Sequence, residues 1–419
     1  MVKTYWAMGV RVQVRGRDCD QSAIVAGPSA AGPDNAPMPR LLIAFALCNL
    51  VIGTGAFVVT GLVAPMAEDL GTSAAAAGQA TTAYALATAL LAPAMVVATG
   101  AWSRRAALVL AMAVFAAGNA LCAVAPNLTV LLAGRVLMGV GAMFTPVAAG
   151  IAVALVQPAR RGRALSIVFL GVSLSYVIGL PLGAWLGLGY GWRWPVALVA
   201  VVAAAATVAM AVALPRDIRA PGATFDGLPA LLRRPGVAGV LAMTMLYFVA
   251  IFIVFSYIGP VLKALQPMSA AQISLTLMLF GLSGVIGTLV GGWENDRIGP
   301  IRTLWLHLGA LALTMALVPL TAGSDLAIVA VFFAWGIAGF GMMTPQQSRL
   351  AVLSPSQAPL LLSLNTSMLY AGTALGAAIG GAAAPWVGFD KLAWVAVPFA
   401  LAAMGLLAAH RRAMPAPAT

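Results

Sequence analysis

Charge is what this sequence has least of. Only 8% of its residues are Asp, Glu, Lys or Arg and 62% are hydrophobic, where soluble domains carry about 25% and about 45–50%; a soluble globule is excluded. There are eleven acidic residues, two histidines and three cysteines. Cys19, Cys48 and Cys122 show neither disulfide-framework nor metal-site spacing, and Cys48 and Cys122 fall inside apolar runs. Those runs contain no His/Cys/Asp constellation and no glycine loop leading into Lys-Ser or Lys-Thr, so neither an enzyme, a metal site nor a cofactor is expected.

What is present is apolar sequence in twelve blocks, near 41–64, 78–99, 106–125, 128–156, 164–188, 194–214, 236–259, 271–292, 302–322, 325–347, 359–384 and 391–409. Most are about 20 residues long, the length a helix needs to cross roughly 30 Å of hydrocarbon. The lipid bilayer is therefore the expected surroundings. The formal net charge of +12 would suit nucleic acid, but the basic residues are segregated rather than clustered. With the N-terminus in the cytoplasm, that side holds all 23 Lys and Arg except Arg193, Lys263, Lys391 and the in-span Arg135. This is the positive-inside pattern, and no nucleic-acid partner is expected. Residues 1–39, with the run GPSAAGPDNAPMP, lack the apolar stretch of a cleavable signal and read as a disordered cytoplasmic tail.

The longest internal polar break, Pro215 to Gly236, separates six blocks from six. Across it the sequence repeats itself at offsets of 195 to 200 residues. Pro65-x4-Leu70 followed by Ser73-Ala-Ala returns as Pro260-x4-Leu265 followed by Ser269-Ala-Ala. Gly139-x-Gly141 leading to Thr145-Pro146 returns as Gly339-x-Gly341 leading to Thr344-Pro345, and Gly179-x3-Gly183 returns as Gly376-x3-Gly380. Small-x3-small spacing alone is common where membrane helices pack; the three matches together predict a duplicated six-helix bundle. The organisation expected is a tail (1–39), a first bundle (40–214), a cytoplasmic linker (215–235), a second bundle (236–410) and a short cytoplasmic tail (411–419). Two such halves rocking about a central site would carry a solute by alternating access.

At these motifs the chain, over about residues 40–410, resembles the major facilitator superfamily, and within it the bacterial twelve-helix drug and sugar efflux branch. The fold class implied is an all-α membrane protein with twelve transmembrane helices in two pseudo-symmetric six-helix bundles. The family's Gly-x-Leu-Ala-Asp-Arg-x-Gly-Arg-Arg turn is matched in the second half by GGWENDRIGPIR, through Gly292, Asp296, Arg297, Gly299 and Arg302. The first half keeps only Arg104 and Arg105, with Gly100 at the aligned aspartate. Such turns are implied to act as latches, a carboxylate pairing with Arg residues and a helix start; positive-inside anchoring is the alternative for the Arg pair. Arg135, with Gly139 and Gly141, resembles the family's Arg-bearing fourth helix. It is expected to be the only buried fixed charge, the alternative being an Arg snorkelling to the outer interface.

GVSLSYVIGLPLGAWLG resembles the antiporter signature of the fifth helix, with Gly171, Gly179, Pro181, Gly183 and Gly187 implied as a seal. The bland equivalent is tight packing between the halves. GWRW, Gly191 to Trp194, also matches, its Trp residues suiting an interfacial belt. The family lines its cavity with the first, fourth, seventh and tenth helices, which nominates Thr54, Phe57, Tyr84, Tyr257, Gln346, Gln347 and Asn365 for cargo contact; interhelical hydrogen bonding is the alternative for the amides and phenols.

In the first helix the family pattern is close to Gly-Thr-x-Glu-Phe, and this chain reads Gly53-Thr54-Gly55-Ala56-Phe57. Ala56 stands where the family has its acid, and every acidic residue lies outside the apolar centres. A buried carboxylate can be tuned to titrate; an alanine cannot. Coupling at Glu294, Asp296, Glu68, Asp69 or His307, a cargo that itself titrates, and uncoupled facilitation all remain open. The function implied is a monomeric inner-membrane exporter of small organic solutes, drug-like or sugar-like, by proton antiport; cationic cargo is disfavoured. The alternatives are an uncoupled facilitator of a neutral or anionic solute and a non-transporting membrane sensor.

Overall fold

The computed structural model describes residues 3–7, 10–14, 37–156, 161–214, 232–233, 236–353 and 358–413. Cys19, Arg160, Asp18, Asp20, Asp34, Asp217, Asp226 and nearly all of the expected linker lie outside them. The chain divides into two compact units after Pro39. In the first, β1 (Lys3–Ala7) pairs antiparallel with β2 (Val10–Val14), Lys3 opposite Val14 and Ala7 opposite Val10. Composition pointed to a tail without structure; Tyr5, Trp6, Val10, Val12 and Val14 are residue types that favour strands.

Among the described residues, the second unit holds twelve helices long and apolar enough to span a membrane: α1 (Arg40–Gly61), α2 (Ala74–Ala98), α3 (Arg104–Ala123), α4 (Leu128–Ala152), α5 (Arg163–Tyr190), α6 (Arg193–Ala213), α7 (Val237–Phe255), α8 (Ala270–Ile298), α9 (Pro300–Thr321), α10 (Asp325–Leu350), α11 (Leu360–Val387) and α12 (Leu392–Ala409). Their bounds fall within a few residues of the apolar blocks. Successive helices cross in opposite directions, so Arg40 and Ala409 share one side, the tail side; the other is the far side. Their outer surface is apolar, with Leu90, Val201, Val212, Leu289 and Leu326 largely exposed, the inverse of a soluble protein. Exposed Trp102 and Trp293 at the tail side and Trp194, Trp386 and Trp394 at the far side form two aromatic girdles. Trp192 is a correction to the expected belt: it is buried, and its indole N–H donates to Asp69 at 3.0 Å.

The repeat has structural content. Ser73 and Ser269 are the N-caps of α2 and α8, each accepting a backbone N–H at the helix start, and Ser269 completes a capping box with Gln272. Thr145-Pro146 and Thr344-Pro345 mark breaks in α4 and α10, whose helical runs end at Gly141 and Gly341 and resume at Phe144 and Met343. Proline supplies no N–H to the preceding turn. α5 carries a π turn, Ser175–Gly179, just before Pro181. α1 passes into a 3₁₀ turn, Val58–Gly61, ahead of the short helix Val63–Asp69, and α7 stops at Phe255 ahead of the short helix Ile258–Leu265.

Within the halves, α3 packs on α4 and α6, and α2 on α4; equivalently α9 packs on α10 and α12, and α8 on α10. The halves meet where α2 lies against α11 and α5 against α8. The fifth-helix glycines do not form that contact, which corrects the expected packing between halves. A Cβ on Gly171, Gly179, Gly183 or Gly187 would fall 1.8–2.5 Å from Ala46, Thr54, Val58 or Leu62, all on the side of α1 in the same half. Gly372, Gly376 and Gly380 of α11 sit in the same way on α7. The repeated small-x3-small motif therefore builds the interior of each half, because only backbone without a side chain fits at that separation.

Candidate functional site

Four of the interrupted helices, α1, α5, α7 and α10, converge with the continuous α8 between the halves on a cluster of rings. Phe57 of α1 stacks on Tyr176 of α5 (5.3 Å between centroids) and meets Phe252 and Phe255 of α7 at 5.7 and 6.1 Å. Tyr176 reaches Phe340 of α10 at 5.1 Å, and Phe280 of α8 packs on Trp335 at 4.9 Å. The cluster contains no charged side chain. Trp335 Nε1, and Ser256 Oγ on the residue after Phe255, are buried without a hydrogen-bond partner among the described residues, and each can donate a hydrogen bond.

Arg135 lies beside this cluster, 1% exposed. Its Nη1 donates to the carbonyl of Gly55 (2.8 Å), its Nη2 to that of Ala56 (2.5 Å) and its Nε to that of Ala80 in α2 (3.0 Å); the guanidinium is 4.9 Å from the Tyr84 ring centre. Snorkelling is thereby ruled out. The break in α1 explains how the charge is tolerated: carbonyls in the last turn of a helix lack intrahelical partners and carry its negative pole. The residue at the family's acidic position thus answers the arginine with its backbone. Arg104 repeats the arrangement, its Nη2 donating to the Gly100 carbonyl at 2.7 Å, at the position of the missing latch aspartate. Arg104 and Arg349 are buried as well, so Arg135 is not the only buried fixed charge. Arg349 was placed by sequence on the cytoplasmic side; its Nη1 donates to Gln346 Oε1 at 3.4 Å inside α10.

The other nominated residues separate by position. Phe57 and Tyr84 lie at the centre, Tyr84 edge-on to Tyr370 of α11 at 6.3 Å. Thr54 faces α5, its hydroxyl donating to the Leu50 carbonyl at 2.8 Å. Gln346 Nε2 donates to Thr244 Oγ1 (2.7 Å), and Thr244 donates to Asn365 Oδ1 (2.6 Å), so these amides join α7, α10 and α11. In the first half Thr145 donates to Asn49 (2.6 Å) and Asn49 to the Val168 carbonyl (3.0 Å), joining α1, α4 and α5. This pseudo-symmetric pair of polar ties was not recognised from sequence, although Asn49 and Thr244, 195 residues apart, obey the same offset. Gln347 is exposed.

Tyr257 closes the far side. Its hydroxyl donates to the Ala377 carbonyl (2.9 Å) and accepts from Gln79 Nε2 (3.1 Å) of α2, and Gly259 lies against the backbone of Gly61. Ser274 of α8 donates to the Pro181 carbonyl at 2.8 Å. Hydrogen bonds from Gln79 to Tyr257 and from Ser274 to Pro181 thus join the halves on this far side. On the tail side, the latch residues are apart. Asp296 is exposed and accepts from Asn295 (3.3 Å), Arg297 stacks on Trp293 (4.8 Å), and Arg302 is exposed. Arg105 donates to the Ala211 carbonyl. Gly292 is half-buried, and Gly299, at φ +82°, makes the α8–α9 turn. No ion pair among the described residues joins Asp296 to an arginine; Arg193 pairs with Asp69, and His307 Nε2 lies against Glu294 Oε2.

A family model described as "Major Facilitator Superfamily" matches residues 45–358. The chain belongs to that superfamily. Among its relatives, it is 33% identical over 380 residues to the Transcription regulatory protein OpdE of Pseudomonas aeruginosa, covering 88% of this chain and 91% of that one. It is 31% identical over 343 residues to the Inner membrane transport protein YdhP of Escherichia coli K12, covering 81% and 88%. Among solved structures, a bacterial homolog of the human lysosomal transporter Spinster, in an inward-facing and occupied conformation, aligns with TM-score 0.76 at 16% identity, covering 91% of this chain and 99% of that one. As a member of this superfamily the protein is a multi-pass membrane transporter of a small-molecule solute.

Proposed function

We propose that this transporter exports small organic solutes across the inner membrane by alternating access and proton antiport, and that its cargo is an aromatic or otherwise apolar solute without positive charge. The observation that carries the reading is the uncharged ring cluster of Phe57, Tyr176, Phe252, Phe255, Phe280 and Trp335, held where four interrupted helices meet α8, with the far side tied shut. Broken helices at the interface of repeats are where carriers place their sites. Aromatic walls bind planar solutes, the free donors on Trp335 and Ser256 suit an acceptor group, and no carboxylate is present to hold a cation. Both termini then face the cytoplasm, the disengaged latch turns lie on that side, the fifth-helix glycines support the seal from behind by fixing α5 on α1, and one protomer suffices because the path runs between its own halves.

A second reading has a specific observation behind it: OpdE is named for transcriptional regulation, which suits a membrane sensor on a carrier scaffold. A solute screen in an efflux-deficient cell, with and without an uncoupler, separates the readings. Export of aromatic neutral or anionic solutes that stops with the uncoupler is expected. Export indifferent to the uncoupler leaves a facilitator, and binding without movement leaves a sensor.

A further inference from the structure

The one buried imidazole among the described residues lies in the second half, away from the ring cluster's charge-free centre. His307 of α9, 5% exposed, places Nε2 2.8 Å from Glu294 Oε2 of α8 and Nδ1 3.2 Å from the carbonyl oxygen of Ala338 in α10. The carbonyl can only accept, so Nδ1 carries a hydrogen. A neutral imidazole has one hydrogen, and Nε2 would then present a lone pair to the carboxyl oxygen. The 2.8 Å contact is attractive only if one further proton lies between Nε2 and Oε2, whether written as imidazolium with carboxylate or as imidazole with carboxylic acid. Without it, two lone pairs face each other in a site with little water to screen them.

From this geometry we infer that Glu294 and His307 together form the proton-binding site of the carrier. One proton binds between Nε2 and Oε2 from water on the tail side and leaves by the same side, with no other bond made or broken. The inference rests on the proton-antiport reading and names its site. The ring is wedged against the break in α10: a Cβ on Gly341 would fall 2.0 Å from His307 Cε1. Beyond that break Gln346 and Arg349 tie the tail segment of α10 to α7, through the Val240 carbonyl, Thr244 and Met243. Loss of the proton therefore pushes the ring and Glu294 apart at the joint on which the α10 tail segment turns. The other charged groups on the packed elements are Asp296 and Arg297 on α8, Arg302 on α9, Arg349 and the far-end Asp325 on α10, and Arg163 on α5; α12 has none from Leu392 to Ala409. None of these has a described bond to the pair, so the shared proton is the group whose loss changes the contact.

The test needs no cargo, because the proton is the probe. Backbone hydrogen exchange over residues 343–353 is measured on the full chain in lipid nanodiscs across a pH series from about 5 to 8, after correction for intrinsic rates. Protection in the wild type is expected to fall about tenfold or more across this range, the equilibrium worth of one charge-assisted hydrogen bond. The step should vanish in Glu294→Gln and in His307→Gln, both of which must elute as single species with unchanged exchange in α3 and α6. A wild type without the step, or variants that keep it, overturns the assignment. Failure of the two readings is distinguishable: export indifferent to an uncoupler with the pH step intact removes antiport and leaves the site. Uncoupler-sensitive export without the step does the reverse.

Discussion

Arg135→Met removes the bridge between α1 and α2 most directly. The guanidinium makes three hydrogen bonds to carbonyls, two on α1 and one on α2, at 2.5 to 3.0 Å. Bonds from a charged donor contribute about 1.5–3 kcal/mol each, a gross term of about 5–9 kcal/mol. Against it stands the cost of burying the ion, several kcal/mol after relaxation. Removing one partner of a buried ion pair would leave an unpaired charge; here no carboxylate is orphaned, only carbonyls at a helix break. The net destabilisation expected is about 1–4 kcal/mol, read as a lowered unfolding midpoint in detergent. Transport should fall further, by at least about tenfold, because Phe57 follows Ala56 and loses the anchor that holds its ring in the cluster. Arg135→Lys keeps the charge but has no planar fork to reach three carbonyls on two helices; it should be as inactive as the Met variant. Wild-type transport with Met would refute the reasoning outright, and recovery with Lys would show that the charge, rather than the bridge, is what matters.

Three further outcomes follow from the packing and the electrostatics. Gly171→Ala places a Cβ 1.8 Å from the Ala46 carbonyl oxygen and should cost about 1–3 kcal/mol or more by overpacking, whereas Gly189→Ala meets nothing within 4 Å and should leave the unfolding midpoint unchanged. Tyr257→Phe removes the hydroxyl from the far-side tie, worth about 0.5–1.5 kcal/mol per bond; a cysteine placed at Ala75 should become several-fold more reactive to a far-side thiol reagent. Arg193 foremost, with the Trp192 indole, holds the Asp69 carboxyl below the ordinary aspartate range. Its stabilisation is therefore complete above the unfolded pKa and is lost as pH falls through the lower folded one. Asp69→Asn should flatten that acid limb, by no more than about 1 kcal/mol because the pair is exposed.

The membrane spans were legible because length and apolarity alone determine which segments cross, and the repeat was legible because its matches are caps and breaks: Ser73 and Ser269 start helices, and Pro146 and Pro345 interrupt them. Less accessible was what a side chain meets across space. The fifth-helix glycines identified a close contact without saying that its partner is α1. Nor could Ala56 show that its own carbonyl takes the place of the lost carboxylate, since backbone acceptors are invisible in residue types. Gln346 and Asn365 looked like cargo ligands because buried amides of either role are spelled the same way. His307 was one of five edge candidates, and only the approach of α8, α9 and α10 set it apart from Asp69, which is tied to Arg193, and from the exposed Asp296.

The central claim is that this chain carries uncharged or anionic aromatic solutes against a gradient in exchange for protons. Flux into liposomes containing the purified protein, with an imposed pH gradient, tests it directly, using a neutral, an anionic and a cationic aromatic solute side by side. Accumulation of the neutral or the anionic solute is expected, with its collapse on adding an uncoupler and no accumulation of the cation. Accumulation of the cation alone, or no movement beyond protein-free liposomes for any of the three, would contradict it.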